Sequence, residues 1–257
     1  WYPVLGALAI LSLLLLVRVH SWSGELILSK TNLAQHPDSS RSNYFYANAL
    51  LRRYRRAEQL GLDEQEKKES LLLSRHYFER MYQANNRDIS ALVMLFYLDS
   101  QFFEGLQQQV DWLAELEKLL LSRTLQPSDW NALATLFDIF ASGADVADEE
   151  RVMALLDQLA RRYPQSVAPL RYRYLYLSSR AAEPVALITL LHQVRELSPQ
   201  DSWVYYYLLQ EAARGKNIAT MYETARLWLL HDPRRYSLHQ QIILFGNTAT
   251  PAEGSRD

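Results

Sequence analysis

Apolar residues recur along most of the chain at the spacing of an amphipathic helix. Three sets that follow this spacing are Trp112, Leu116, Leu119 and Leu120; Val152, Leu156, Leu159 and Ala160; and Met221, Ala225, Trp228 and Leu229. Positions i, i+4, i+7 and i+8 lie on one face of an α-helix, so each set predicts one apolar stripe. Two acidic pairs, Asp63 with Glu66 and Asp145 with Asp148, are typical of helix starts. The pattern predicts an all-α protein.

One segment follows a different period. Polar and apolar residues alternate with a period of two over residues 171–177, which by itself is typical of a half-buried strand. This segment directly follows Pro164, at the point where the surrounding pattern requires a new helix. We therefore interpret it as helical, with a strand as the alternative.

Prolines divide the second half of the chain at regular intervals. Three stops, Tyr163-Pro164-Gln165-Ser166, Ser198-Pro199-Gln200-Asp201 and His231-Asp232-Pro233, recur at spacings of 35 and 34 residues. Proline ends a helix because it lacks an N–H donor and clashes with the preceding turn. A period of about 34 residues with two helices is that of tetratricopeptide repeats, which stack side by side. We predict a right-handed α-solenoid of degenerate tetratricopeptide-like hairpins over residues 23–247, followed by a disordered tail over residues 248–257.

The first 22 residues are almost entirely apolar. No charged residue occurs before Arg18, and aromatic residues stand at both ends, with Trp1 and Tyr2 at one and Trp22 at the other. A helix of about 20 such residues is long enough to cross a bilayer. We predict a transmembrane helix over residues 1–22, with a signal peptide and a buried core helix as alternatives. Because the sequence opens on Trp1, we expect this helix to be the last span of a larger protein.

The composition of the chain excludes several classes of functional site. The 257 residues are 49% hydrophobic, contain no cysteine and carry a formal net charge of −2. These values exclude a disulfide scaffold and a thiolate metal site, and they give no general attraction to nucleic acid. The six histidines lack metal-ligand spacing, and no phosphate-binding loop or nucleophile elbow occurs. We therefore nominate no catalytic residue, metal site or cofactor.

Aromatic residues cluster after the proline stops, where the first helix of each hairpin would line the concave surface of an array. The candidate partner-binding groove consists of Tyr44, Tyr46, Tyr172, Tyr176, Trp203 and Tyr205. A tyrosine or tryptophan there offers a large rigid face to a peptide or a sugar, and packing between helices is the alternative.

A basic run in the first half of the chain is a second candidate. It consists of Arg52, Arg53, Arg55 and Arg56. Such a run near a membrane can contact lipid head groups or the phosphate of a lipid-linked substrate. The alternative is a solvated helix face balanced by nearby acids.

The region after the first helix resembles a known family. The residues that carry the resemblance are the apolar helix, Trp22 and Leu33-Ala34-Gln35-His36-Pro37-Asp38-Ser39-Ser40-Arg41-Ser42-Asn43-Tyr44-Phe45-Tyr46-Ala47-Asn48. This junction is similar to that of membrane proteins of the transmembrane-and-tetratricopeptide O-mannosyltransferase type, in the C-type glycosyltransferase superfamily. The resemblance covers residues 17–51.

The resemblance implies a function for the chain as part of a bacterial inner-membrane protein. Its repeat domain would be periplasmic and would hold a protein or glycan acceptor near a membrane-embedded catalytic centre outside this chain. Two alternatives remain open, a free-standing membrane-anchored scaffold for a cell-envelope complex and the periplasmic tail of an O-antigen-ligase-like oligosaccharyltransferase.

Overall fold

The computed structural model describes residues 1–21, 24–103, 110–142 and 147–232, and in these ranges it contains twelve helices and no strand. The helices are α1 (Tyr2–Ser21), α2 (Glu25–Gln35), α3 (Ser40–Arg55), α4 (Glu64–Ala84), α5 (Ile89–Phe102), α6 (Trp112–Ser122), α7 (Pro127–Ala141), α8 (Glu149–Arg162), α9 (Ala168–Ser179), α10 (Pro184–Leu197), α11 (Ser202–Arg214) and α12 (Ile218–His231). The all-α prediction is confirmed. The prediction of a tail over residues 248–257, together with residues 233–247 of the predicted repeats, lies outside the described ranges.

Local sequence signals account for where the helices begin and end. Asp63 and Glu66 form a reciprocal capping box at the start of α4, as predicted. At α8 the predicted cap is wrong: the cap is Asp148, which accepts from the backbone N–H of Glu150, and the predicted cap Asp145 lies outside the described residues. Helices α8, α10 and α12 each end just before a proline stop. Residues 171–177 lie within α9, so the helical interpretation of that segment is confirmed.

Helix α1 differs from the others because its apolar side chains face outward. Leu5 is 59% exposed and Leu16 is 65% exposed, with similar values for the leucines between them. Within the part of the chain that the structure describes, no helix has both the length and the apolarity required to cross a membrane. The predicted transmembrane helix is therefore not confirmed.

The chain divides into two compact units, residues 1–133 and residues 134–257. In the first unit, helices α2 to α6 pack in chain order, each against the next. Contacts also join alternate helices: the Arg55 guanidinium in α3 donates to the Tyr97 hydroxyl in α5 at 2.8 Å. The buried Asp99 carboxylate in α5 ties together α4 and α6, because it accepts from Arg75 and from the Trp112 indole.

In the second unit, helices α8 to α12 likewise pack in chain order. One buried cluster draws on α9 to α12 and consists of Tyr174, Leu187, Leu190, Leu191, Val194, Val204, Tyr205, Leu208 and Trp228. Alternate helices meet here as well, since the Tyr174 hydroxyl in α9 donates to Glu211 in α11 at 2.8 Å. This contact places one face of α9 beside one face of α11, where the candidate site lies.

Candidate partner-binding surface

Three of the predicted groove residues lie in the core of the second unit. Tyr172 is 7% exposed and stacks on Phe137, with ring centroids 4.8 Å apart. Tyr176 and Tyr205 are each only 1% exposed. The Tyr205 ring stacks on Trp228, and its hydroxyl donates to the Pro199 carbonyl at 2.7 Å. In this structure these side chains offer a partner almost no surface.

Two further predicted residues belong to the first unit. Tyr46 is buried and meets Tyr77 edge to face, with ring centroids 4.9 Å apart. Burial raises the pKa of the Tyr46 hydroxyl. Tyr44 is half-buried and touches Phe78 in the same manner at 6.0 Å. Both tyrosines therefore join α3 to α4, and of the two only Tyr44 keeps accessible surface.

Trp203, the remaining predicted residue, is half-buried in a compact aromatic cluster on α9 and α11. Its ring centroid lies 4.6 Å from that of Tyr207 and 5.5 Å from that of Tyr174. Tyr206, which is 55% exposed, adjoins Tyr207 nearly at right angles. We call Trp203, Tyr206, Tyr207 and the neighbouring Arg171 the aromatic surface.

Arg171 covers part of the Trp203 ring. Its guanidinium lies 4.9 Å from the ring centroid, within the range of a cation–π interaction. The same guanidinium forms an ion pair with Asp201, whose carboxylate also caps α11 by accepting from the Trp203 backbone N–H. Burial lowers the pKa of Arg171, although an arginine remains charged at any physiological pH. A cation thus borders the aromatic rings on one side.

A buried polar pair supports the aromatic surface from below. The Tyr174 hydroxyl donates to Glu211, which is 1% exposed. Burial and this carboxylate together raise the pKa of Tyr174. Glu211 also pairs with Arg214 at 3.0 Å, and Arg214 donates to the Ala182 carbonyl at 2.7 Å. Since unmaking a buried charged hydrogen bond is costly, this network fixes the Tyr174 ring beneath Trp203 and Tyr207.

Helical geometry explains which aromatic residues reach the surface. Positions i and i+4 share a face, so Trp203 lies beside Tyr207, whereas Tyr205 points to the opposite side of α11. On α9 the same rule separates Arg171 and Tyr174 from Tyr172 and Tyr176. A choice based on local aromatic density missed Tyr206, Tyr207 and Arg171. In the sequence, the i, i+4 spacing from Trp203 finds Tyr207, and the i, i+3 spacing links Trp203 to Tyr206 and Arg171 to Tyr174.

The predicted basic run is largely engaged within the protein. Arg52 pairs with Glu25, and Arg53 contacts Glu66 at 3.2 Å and donates to the Ser70 hydroxyl at 2.9 Å. Arg55 donates to the Tyr97 hydroxyl and lies over its ring. Arg55 and Arg56 are both exposed, and among the described residues neither forms an ion pair. Contact with lipid or phosphate at this run stays a prediction.

The chemistry available at the aromatic surface is recognition. Rings that are already in contact provide stacking area, the tyrosine hydroxyls provide hydrogen bonds, and Arg171 with Asp201 provides charge. Over the described ranges no group of three or more His, Cys, Asp or Glu side chains is arranged to hold a metal ion.

The sequence matches no protein-family model and none of the curated proteins.

Proposed function

We propose that the chain is a helical-repeat binding domain, an α-solenoid of tetratricopeptide-like hairpins that recognises a protein or glycan acceptor through the aromatic surface. The observation that carries this proposal is the placement of Trp203 and Tyr207 in mutual contact, partly exposed, above the buried Tyr174–Glu211 pair. Aromatic anchors held rigidly at a surface are characteristic of binding hot spots. Packing of consecutive helices in chain order, together with the proline period, supports the solenoid architecture.

The proposal is tested with defined probes and the full chain. A random dodecapeptide library is selected against the protein, enriched peptides are synthesised, and a glycan array tests the second acceptor class. Affinity is then measured for Trp203→Ala and for Tyr222→Ala, a matched control because Tyr222 is exposed on α12 and is not among the rings in contact with Trp203 or Tyr207 in the described structure. We expect Trp203→Ala to weaken binding by about tenfold or more and the control to leave it unchanged.

Two outcomes would contradict this function. One is that neither peptides nor glycans bind. The other is that their binding is equally strong in Trp203→Ala and the wild type. Circular dichroism at each step establishes that the variants remain folded, since Trp203 also packs against Tyr174.

We further propose that α1 attaches the domain to lipid, in the bacterial inner membrane with the repeats in the periplasm. The support is the outward orientation of its leucines, such as Leu11 at 61% exposure and Leu15 at 63%, which is unfavourable in water. Flotation with liposomes is expected for the wild type and is expected to be lost in Leu11→Ser/Leu15→Ser. A variant with Leu60→Ser, another exposed leucine outside α1, should still float. Flotation of the α1 variant would refute the attachment.

The resemblance to O-mannosyltransferase-type proteins extends this proposal to a larger assembly. In that setting the domain raises the effective concentration of an acceptor near a membrane-embedded catalytic centre carried by other segments. A free-standing envelope scaffold and an O-antigen-ligase-like protein are the alternatives. Any coding sequence found upstream of Trp1 would separate the free-standing scaffold from the two transferase-like interpretations, because several further apolar spans are expected only for the latter.

A further inference from the structure

A polar groove in the first unit lies between two connecting loops, well apart in sequence from the aromatic surface. One wall is the turn between α4 and α5 and the other is the turn between α6 and α7. The groove has a volume of about 690 Å³, and every described side chain that lines it is polar. In a chain that is 49% hydrophobic, such a lining sets this groove apart from the helix interfaces.

The two acids of the groove are already engaged. Asp88 accepts from the backbone N–H groups of Ser90 and Ala91 at 3.0 and 3.2 Å. Asp129 accepts from the Gln126 backbone N–H at 2.7 Å and from the Arg123 guanidinium at 2.8 Å. The Asp129 charge is therefore neutralised by Arg123, whereas Asp88 is held as the helix cap of α5 by two backbone N–H groups.

The arginines differ from the acids in this respect. Arg123 bridges the two walls, because the same guanidinium nitrogen that contacts Asp129 also donates to the Arg87 carbonyl at 3.3 Å. The Arg87 side chain is exposed, and among the described residues it has neither an ion pair nor a hydrogen bond. One guanidinium thus stands at the groove without a counter-ion in the described structure.

Neutral donors complete the lining. Hydroxyl groups come from Ser90, Thr124 and Ser128, and amide groups come from Asn85 and Gln126. An amide side chain can donate to and accept from a peptide backbone, and a guanidinium binds a carboxylate through two parallel hydrogen bonds. The groove is also open and far larger than a single small anion.

We propose that this groove binds an extended acidic segment of a protein partner, with Arg87 holding a carboxylate and the amide and hydroxyl groups holding its backbone. The inference rests on the proposed function, since it supposes a protein partner, but it concerns a second site that contacts the partner independently of the aromatic surface. Arg123 acts as a positioning residue that keeps the two loops at a fixed separation.

The test uses the full chain in mild detergent and two fluorescent probes, acetyl-hexaglutamate-amide and its hexaglutamine counterpart, followed by fluorescence anisotropy. We expect the acidic probe to bind and to weaken as salt rises, and the neutral probe not to bind. Arg87→Gln should raise the Kd for the acidic probe by about tenfold, as expected when one charged contact is lost. Arg226→Gln is the matched control, because Arg226 is exposed on α12.

A second variant guards against an effect on folding. Ser128 is exposed, so Ser128→Asp adds a negative charge to the groove without disturbing the core, and it should weaken the acidic probe as Arg87→Gln does. Equal binding of the two probes, or equal affinity in Arg87→Gln and Arg226→Gln, overturns the inference. If Trp203→Ala loses binding of the selected peptides and the wild type does not bind hexaglutamate, only this inference is overturned. If the wild type binds hexaglutamate and Trp203→Ala binds the selected peptides as the wild type does, only the proposed role of the aromatic surface is overturned.

Discussion

Asp99 offers a sharp test of how the first unit is held together. This carboxylate is 1% exposed and accepts three hydrogen bonds, from Arg75 Nε at 2.6 Å, Arg75 Nη2 at 2.9 Å and Trp112 Nε1 at 2.8 Å. The hydrogen bond to Asp99 raises the pKa of Arg75. One side chain in α5 therefore connects α4 to α6, and its removal leaves a guanidinium that is only 16% exposed without its main counter-ion.

The expected cost of Asp99→Ala follows from this burial. Removing one partner of a buried ion pair costs about 3–5 kcal/mol, because the other charge is left uncompensated. Glu79 is a matched control, since it pairs with the same arginine at 3.2 Å but its side chain is 40% exposed. An exposed ion pair contributes roughly 0–1 kcal/mol, so Glu79→Ala should change the free energy of unfolding little. Trp112→Phe removes a single neutral donor and should cost about 1–3 kcal/mol.

Urea denaturation followed by circular dichroism measures these differences. The order of destabilisation should be Asp99→Ala, then Trp112→Phe, then Glu79→Ala. A double variant, Asp99→Ala/Arg75→Met, should recover part of the loss, because it removes the uncompensated charge. If Asp99→Ala cost no more than Glu79→Ala, or if the double variant were much less stable still, the argument from burial would be refuted.

Three further predictions separate core from surface and examine the backbone. Tyr205→Ala should lower the free energy of unfolding by about 3–5 kcal/mol, because Tyr205 is buried. Tyr206→Ala should lower it by less than about 0.5 kcal/mol, because Tyr206 is exposed. Equal losses in urea titrations would contradict this placement. Burial raises the pKa of the Tyr172 hydroxyl to about 12, above the value of about 10 in an unfolded chain. The stability that the neutral, buried hydroxyl contributes is therefore complete below about pH 10 and is lost as the pH rises toward 12. Tyr172→Phe should therefore flatten the decline of Tm over that interval. Gly61 (φ +63°) and Ala181 (φ +55°) both have left-handed backbone conformations, which favour glycine. Gly61→Ala should therefore lower the free energy of unfolding by about 1 kcal/mol, and Ala181→Gly should leave it unchanged or raise it. Thermal melts that show the opposite order would refute this expectation.

Helix type and helix ends were predictable from the sequence because both depend on near neighbours. An apolar stripe such as Trp112, Leu116 and Leu120 is buried as its spacing requires. The Asp63 capping box and the proline stop at Pro199 act within one or two turns of the chain. The helical conformation of residues 171–177 was predictable for the same reason, because their position directly after the Pro164 stop outweighed a short period-two pattern.

The candidate site was predictable only in part because it depends on which helix faces meet. Local density drew attention to the aromatic run after Pro199, but it could not show that Trp203 keeps accessible surface while Tyr205 is buried. The partner of Arg171 also came from another helix, 30 residues away at Asp201. For Arg52 and Arg53, acids on α2 and α4 supply the compensation, which a run of basic letters does not reveal. Side-chain pairing across helices requires the fold.

Under the proposed binding function, the buried Tyr174–Glu211 pair has a consequence for the choice of ligand at the aromatic surface. Because the Tyr174 ring beneath the aromatic surface is hydrogen-bonded to a buried carboxylate, the surface has little freedom to rearrange around a ligand of poor fit. A well-matched ligand then loses its own entropy on binding while the protein loses little, and a poorly matched one gains nothing from local rearrangement. Selectivity between ligands at Trp203 should therefore come from the preformed shape of the aromatic surface. The association rate should be limited by diffusional encounter and not by a slow conformational change of the protein.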